Sequence, residues 1–267
     1  MPKTRLDQLL FSRGLTESRE QAKRLIMAGE ITVDGQLVDR PAAAVADDAK
    51  IEVKARPRFA SRGGDKLEAA LAAFQIDVLG RVCADVGAST GGFTDCLLQR
   101  GAAKVYAIDV GHGILDYGLR SDPRVVVMEG TNARHVERLP EPVKFVSMDA
   151  SFISAKILLP VALGWFAPAS EPGATADVVV LVKPQFEAGR KDVARGDGVV
   201  RDPEIHRRVL AEVLAFAEGL GWSVAGLIES PLRGPKGNIE FLAWLDRGGV
   251  KAHWAALIDA LLPHADG

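Results

Sequence analysis

Cysteine is scarce in this chain: Cys83 and Cys96 are the only two among 267 residues. They do not form a C-x-x-C pair, and Cys83 falls in an apolar run. Buried free thiols are therefore expected, not a disulfide framework. Long hydrophobic runs are also missing. A membrane-spanning helix needs about 20 apolar residues, and the longest candidate, Ile157 to Ala169, is short and broken by Pro160 and Pro168. Behind Met1-Pro2-Lys3-Thr4-Arg5 there is no apolar run like that of a signal peptide. These absences predict a cytoplasmic protein with no membrane partner. An excess of one charge is lacking too: the net charge is −2, which by itself does not mark a nucleic-acid binder. The distribution is less even. Residues 1–62 carry 12 Lys and Arg against 9 Asp and Glu, a balance of +3, and the remainder carries 21 against 26, a balance of −5. The length suits one α/β domain with a small appendage.

The chain is organised around Asp85-Val86-Gly87-Ala88-Ser89-Thr90-Gly91-Gly92-Phe93-Thr94. A strand-like run, Arg81-Val82-Cys83-Ala84, leads in, and a helix-like run from Thr94 to Gln99 leads out. Glycine lets backbone approach a ligand and take up positive φ. The helix start adds free N–H groups and a positive dipole end. Strand, glycine loop and helix in that order suit a nucleotide-like ligand at the edge of an open α/β sheet. The dinucleotide fingerprint G-x-G-x-x-G is absent, because Ser89 stands where its second glycine would be. Asp109 ends the run Val105-Tyr106-Ala107-Ile108 and can accept hydrogen bonds from a ribose. The two acids and the glycine loop together point to S-adenosylmethionine. A glycine-rich αβ turn without a ligand is the plain alternative.

Residues 4–13 and 18–28 read as two short helices, with Thr16 or Ser18 capping the second and Gly29 ending it. Ile31-Thr32-Val33-Asp34-Gly35-Gln36-Leu37-Val38 reads as an Asp-Gly hairpin, and Lys50-Ile51-Glu52-Val53-Lys54 as a further strand. Arg5, Arg13, Arg19, Lys23 and Arg24 dot the helices; each taken singly reads as a solvated surface charge. The order of elements, with Arg5-Leu6-Asp7-Gln8-Leu9-Leu10, Arg13-Gly14-Leu15, Ser18-Arg19 and Ala28-Gly29-Glu30-Ile31-Thr32-Val33-Asp34-Gly35, resembles an S4 RNA-binding domain. The resemblance implies that these five cations, the linker's Arg56 and Arg58, and Arg62 grip structured RNA through backbone and shape. The expected division is an S4-like module over 1–55, a linker over 56–63 and a larger domain over 64–267.

From Val82 onward, strand-like and helix-like runs alternate, which predicts a mostly parallel sheet. The strand runs are 82–84, 104–108, 124–128, 143–148, 177–182, 222–228 and 239–245. Seven strands fit an α/β class I, Rossmann-like methyltransferase sheet. Four runs end in a charged residue, Asp85, Asp109, Asp149 and Lys183, at the sheet edge where ligands bind. The methyl group of S-adenosylmethionine is a good electrophile. A ribose hydroxyl is a poor nucleophile and gains from alignment and a base. Lys183 follows a β-branched apolar run and is expected to be partly buried. A free lysine, at about 10.4, is only about one part in a thousand neutral near pH 7.4; desolvation and a second lysine, for which Lys66 is the candidate, would raise that fraction. Asp149 and Glu240 would orient the amines and the sugar.

Both parts together resemble the TlyA, or hemolysin A, family of bacterial rRNA 2′-O-methyltransferases, with an S4 domain before an FtsJ-like domain. The most specific segments are Ser61-Arg62-Gly63-Gly64-Asp65-Lys66-Leu67, Asp85 through Leu98, Ser147-Met148-Asp149-Ala150-Ser151-Phe152-Ile153-Ser154, Leu181-Val182-Lys183-Pro184-Gln185-Phe186-Glu187 and Gly237-Asn238-Ile239-Glu240. The resemblance implies a catalytic set of Lys66, Asp149, Lys183 and Glu240. It implies S-adenosylmethionine held by Asp85, Gly87, Ala88, Ser89, Gly91, Gly92, Phe93, Asp109, Val110, Asn132 and Asp149, with no metal. Its implied substrate is cytidine ribose in 16S and/or 23S rRNA, with ribosomal subunits as partners. Two departures stand out: His112 where the family carries an aromatic residue followed by Gln, and Gly130 where it carries Arg. The competing readings are a pore-forming hemolysin, a pseudouridine synthase and a non-catalytic RNA-binding protein. No membrane-active segment supports the first. The glycine loop argues against the second, and the intact catalytic set argues against the third.

Overall fold

An Asp-Gly pair between β-type residues requires two successive positive φ angles. Asp34 (φ 48°) and Gly35 (φ 79°) supply them. The computed structural model describes residues 2–54, 58–168, 170–171, 175–194, 196–248 and 253–263, and the chain divides into two units, Met1–Pro57 and Arg58–Gly267.

In the first unit, strands β1 (Lys3–Arg5), β2 (Ile31–Val33), β3 (Gln36–Leu37), β4 (Ala44–Ala46) and β5 (Ile51–Val53) accompany helices Leu6–Ser12 and Arg19–Met27. Strands β3, β2 and β5 form an antiparallel sheet, and β1 pairs with β4. Ser18 Oγ accepts from Gln21 N–H at 3.1 Å, capping the second helix, and Gly29 (φ 70°) follows its end. Leu6, Leu9, Leu10, Leu25, Ile26 and Ile31 fill the core. The β1–β4 pair is new relative to the sequence reading, because Ala44-Val45-Ala46 offers one β-branched residue for a strand.

The second unit is built on a seven-stranded sheet of β6 (Val82–Val86), β7 (Lys104–Ile108), β8 (Val125–Met128), β9 (Phe145–Met148), β10 (Asp177–Val182), β11 (Ser223–Glu229) and β12 (Phe241–Asp246). Its order is β11-β12-β10-β9-β6-β7-β8, with β12 antiparallel to both neighbours and the β10–β9–β6–β7–β8 pairings parallel. The expected seven-stranded α/β architecture is borne out. Helices Gly63–Ala73 and Gly92–Gln99 cover one face through Leu67, Leu71, Phe93 and Leu97. Helices Ala155–Leu163 and Pro203–Gly219 cover the other through Leu158, Leu159, Leu210 and Leu214. The chain leaves β6 toward β7 and β8, then crosses back to β9 on its other side. The carboxyl ends of β6 and β9 therefore flank the switch point at which such sheets bind ligands.

One boundary differs with consequence. The sequence reading ends the first strand at Ala84 and leaves Asp85 at its tip. Pairing of Val86 with both Ile108 and Met148 carries β6 two residues further, so Asp85 lies inside the strand and is fully buried. Cys83 and Cys96 are free and buried, and desolvation pushes the Cys83 thiol up to about 12. Among the described residues, no helix is long and apolar enough to cross a membrane.

Candidate active site

The loop after β6 is forced by backbone geometry. Gly87 (φ 83°), Ser89 (φ 50°) and Gly91 (φ 99°) all take positive φ. A Cβ on Gly87 would stand 2.6 Å from the Asp149 carbonyl oxygen, so the loops after β6 and β9 touch and admit no side chain there. Gly91 precedes the helix Gly92–Gln99, and a side chain on it would collide with Leu119.

Two clefts open from this point. The first, of about 640 Å³, is lined by Ser61, Arg62, Gly63, Lys66, Ala88, Gly92, Phe93 and residues 232–235 and 237. The second, of about 620 Å³, is lined by Asp109, Val110, Ile114, Asn132, Arg134 and residues 150–154, among others. Gly87, Ser89 and Asp149 line both, so the clefts share a wall. Of the expected cofactor residues, only Asp85 and Gly91 line neither.

Asp85 works beneath the loop. Thr94 Oγ donates to its Oδ2 at 2.7 Å and Ser147 Oγ to its Oδ1 at 3.1 Å, tying the first turn of the following helix and β9 to β6. Desolvation pushes Asp85 up to about 7, against the pull of those two hydrogen bonds. The roles of Thr94 and Ser147 were missed in the sequence, although a hydroxyl nine residues after a strand acid is a signal for such a brace. Asp109 is spread over the loop ends: Oδ2 accepts from Ser89 N–H at 2.8 Å and Oδ1 from Gly111 N–H at 2.7 Å. Each oxygen keeps a lone pair for a further donor. Glu129, also missed, accepts from the N–H groups of Gly113, Ile114 and Leu115 and from Arg120 at 2.7 to 3.1 Å; led by Arg120, these bonds hold it down to about 2. It shapes the loop beside the second cleft. A side chain at Gly130 would collide with the His112 ring, so the two departures from the family pattern meet in one place.

The four catalytic candidates form two ion pairs. Lys66 Nζ donates to Glu240 Oε2 at 2.6 Å, with Lys66 9% and Glu240 1% exposed. Lys183 Nζ lies 2.5 Å from Asp149 Oδ1 and donates to Ser151 Oγ at 3.0 Å. The sequence reading set Lys66 beside Lys183 as a second positive charge. Each amine has its own carboxylate, in the orienting place expected of Asp149 and Glu240. Glu240 Oε1 also accepts from Gln185 Nε2 at 3.2 Å. Glu187 takes the Ser154 hydroxyl at 2.6 Å and the Ala155 N–H at 2.7 Å, which locks the segment after β10 to the one after β9.

The proposed RNA-contacting cations are unevenly committed. Asp7, fully buried and held down to about 2 chiefly by its hydrogen bond from Arg5, binds Arg5 at 3.0 Å and Arg19 at 3.1 Å. Arg13 donates to the Ala49 carbonyl at 2.7 Å and to that of Asp47. Lys23 pairs with Glu20 at 2.7 Å, and Arg58 with Glu68 at 2.9 Å. Arg24 has no ion pair among the described residues, Arg62 lines the first cleft, and Arg56 lies outside the described residues. No group of three metal-ligating side chains occurs among the described residues.

Against known proteins, residues 59–247 match the FtsJ-like methyltransferase family and residues 4–51 the S4 domain. The 16S/23S rRNA (cytidine-2′-O)-methyltransferase TlyA of Mycobacterium tuberculosis is 47% identical over 247 residues, 91% of this chain and 90% of that protein. The hemolysin A of Brachyspira hyodysenteriae is 42% identical over 242 residues, 90% of this chain and 98% of that protein. A solved Streptococcus thermophilus structure bearing a hemolysin name is 43% identical with a TM-score of 0.73, covering 98% of this chain and 95% of that one. The chain therefore belongs to the TlyA family, an S4 domain followed by an FtsJ-like methyltransferase domain.

Proposed function

We propose that this chain transfers a methyl group from S-adenosylmethionine to the 2′-hydroxyl of cytidine ribose in 16S and/or 23S rRNA. The observation that carries the reading is Asp149 on the wall common to the two clefts, with Lys183 Nζ 2.5 Å from its carboxylate although Lys183 itself lines neither cleft. One cleft suits a nucleoside-like cofactor and the other a ribose. The second cleft falls in the size range of ligand pockets, and Asp109 has acceptor capacity left for ribose hydroxyls. Asp109, Val110, Asn132, Ser89 and Asp149 would hold the cofactor there. S-adenosylmethionine supplies an electrophilic methyl group on a sulfonium.

The chain's own residues do the rest. Asp149, on the shared wall, holds the Lys183 amine. Lys183, with its amine in the neutral form, accepts the hydrogen bond of the 2′-hydroxyl and takes its proton as the oxygen is methylated. Lys66, anchored by Glu240, presents donors to the sugar from the first cleft and fixes its orientation. The first unit and Arg62 hold the RNA by its backbone, and ribosomal subunits in the cytoplasm are the partner. Calorimetry with S-adenosylmethionine tests the first half of this reading. Binding in the micromolar range, lost in Asp109→Ala, supports it; no binding to the folded protein refutes it and favours a pore-forming or purely RNA-binding role.

A further inference from the structure

Gly237-Asn238-Ile239-Glu240 contributes a carboxylate to the proposed chemistry and leaves Asn238 unused. Asn238 is 3% exposed. Its Oδ1 accepts from Val200 N–H at 2.9 Å, its Nδ2 donates to the Gly198 carbonyl at 2.9 Å, and its own carbonyl accepts from Gly234 N–H at 2.9 Å. The Asn238 backbone carbonyl thus closes the turn 234–238, and its buried side chain ties that turn to residues 198–200. The far end is anchored as well, by the buried His206 ring against the Val200 carbonyl at 2.9 Å. Leu232, Arg233, Gly234 and Gly237 of this segment line the first cleft with Lys66. The turn also bounds Glu240: a Cβ on Gly234 would stand 2.7 Å from Glu240 Oε1.

We propose that Asn238 is a positioning residue for the Glu240–Lys66 pair, acting through the turn 234–238. The proposal rests on the reading that this pair faces the substrate ribose. The carboxamide can hold only one orientation, because reversing it would set oxygen against the Gly198 carbonyl and N–H against N–H at Val200. Truncating it leaves the buried Val200 N–H and the part-buried Gly198 carbonyl without these partners. The turn must then move, and a displacement of about 1 Å at a reacting group can cost about 10²-fold in rate.

The test uses the full chain with Asn238→Ala, Asn238→Asp and Gly234→Ala. The readouts are kcat and KM for methyl transfer to ribosomal subunits, S-adenosylmethionine affinity by calorimetry, and the melting temperature. Asn238→Ala is expected to lower kcat by about 10- to 100-fold while cofactor affinity stays at the wild-type value, since the second cleft has no residue from this turn. Asn238→Asp keeps the acceptor for Val200 but opposes the Gly198 carbonyl, and should recover only part of the rate. Gly234→Ala, which crowds Glu240 directly, should reproduce the loss of kcat. Wild-type kcat in a folded Asn238→Ala overturns the proposal; if that variant does not fold, wild-type kcat in Gly234→Ala overturns it. Absence of transfer by the wild-type protein removes the reading of the site and this inference together, whereas wild-type transfer with undiminished variants removes the inference alone.

Discussion

Lys183 Nζ stands 2.5 Å from Asp149 Oδ1, and Asp149 lines both clefts of the sheet edge. The amine is thereby tied to a carboxylate of the wall where cofactor and ribose would meet, although Lys183 itself lines neither cleft. Lys183→Ala is expected to keep the fold and cofactor affinity and to lose about 10²–10⁴-fold in turnover, the usual worth of general-base assistance. Lys183→Arg should be nearly as poor, because guanidinium holds its proton near neutral pH. Single-turnover methylation across pH is the check. An arginine variant with near wild-type rate would leave Lys183 an electrostatic role only.

Asp85 predicts a pH effect of unusual sign for a carboxylate. Burial raises it to about 7, so between the ordinary carboxylate range and pH 7 the folded chain binds a proton that the unfolded chain has released. Its contribution to stability is full below about pH 4 and falls as pH rises toward 7. Asp85→Asn, which keeps one acceptor oxygen and makes the other hydroxyl turn to accept from its amide, should flatten this part of the melting-temperature profile. An unchanged slope between pH 5 and 8 would contradict the assignment.

The sheet was legible because β-branched runs such as Val178-Val179-Val180-Leu181-Val182 alternate with amphipathic helices, and all seven runs became strands. The β1–β4 pair was not, since Ala44 and Ala46 have little strand character of their own. Within the site, the residue types Lys66, Asp149, Lys183 and Glu240 could be picked out, but not their partners. Which carboxylate takes which lysine depends on contacts 174 and 34 residues apart in sequence (240 − 66; 183 − 149). Asp85 looked like a ligand residue because its strand was read two residues short. A buried acid and an exposed one give the same letter in the sequence, and only the pairing of Val86 separates them.

The Gly87 backbone and the Asp109 carboxylate give different tests of the second cleft. Gly87→Val would drive its Cβ into the Asp149 carbonyl at positive φ, displacing Asp149 along with the loop, and so cannot isolate the cofactor. Asp109→Asn is nearly isosteric and removes the charge, and its Nδ2 then faces the Ser89 or the Gly111 N–H, so one of those two loop bonds is lost with it. A cofactor dissociation constant raised by about tenfold or more is expected, since hydrogen bonds to charged groups are worth about 1.5–3 kcal/mol. Wild-type affinity in a folded Asp109→Asn would move the ribose elsewhere.

Removal of residues 1–54 takes away the first unit and its core. S-adenosylmethionine affinity should be unchanged, while methylation of ribosomal subunits drops steeply. RNA binding by the intact chain should weaken as salt rises, through counterion release at phosphate contacts. Full activity of the truncated protein on subunits would show that the first unit is not the RNA grip.

The most direct measurement of the central claim is nucleoside mass spectrometry of ribosomal subunits incubated with the purified chain and methyl-labelled S-adenosylmethionine. The account predicts label in 2′-O-methylcytidine with wild-type protein and its loss with Lys183→Ala. Absence of label, or label on a base instead of a ribose, would contradict it.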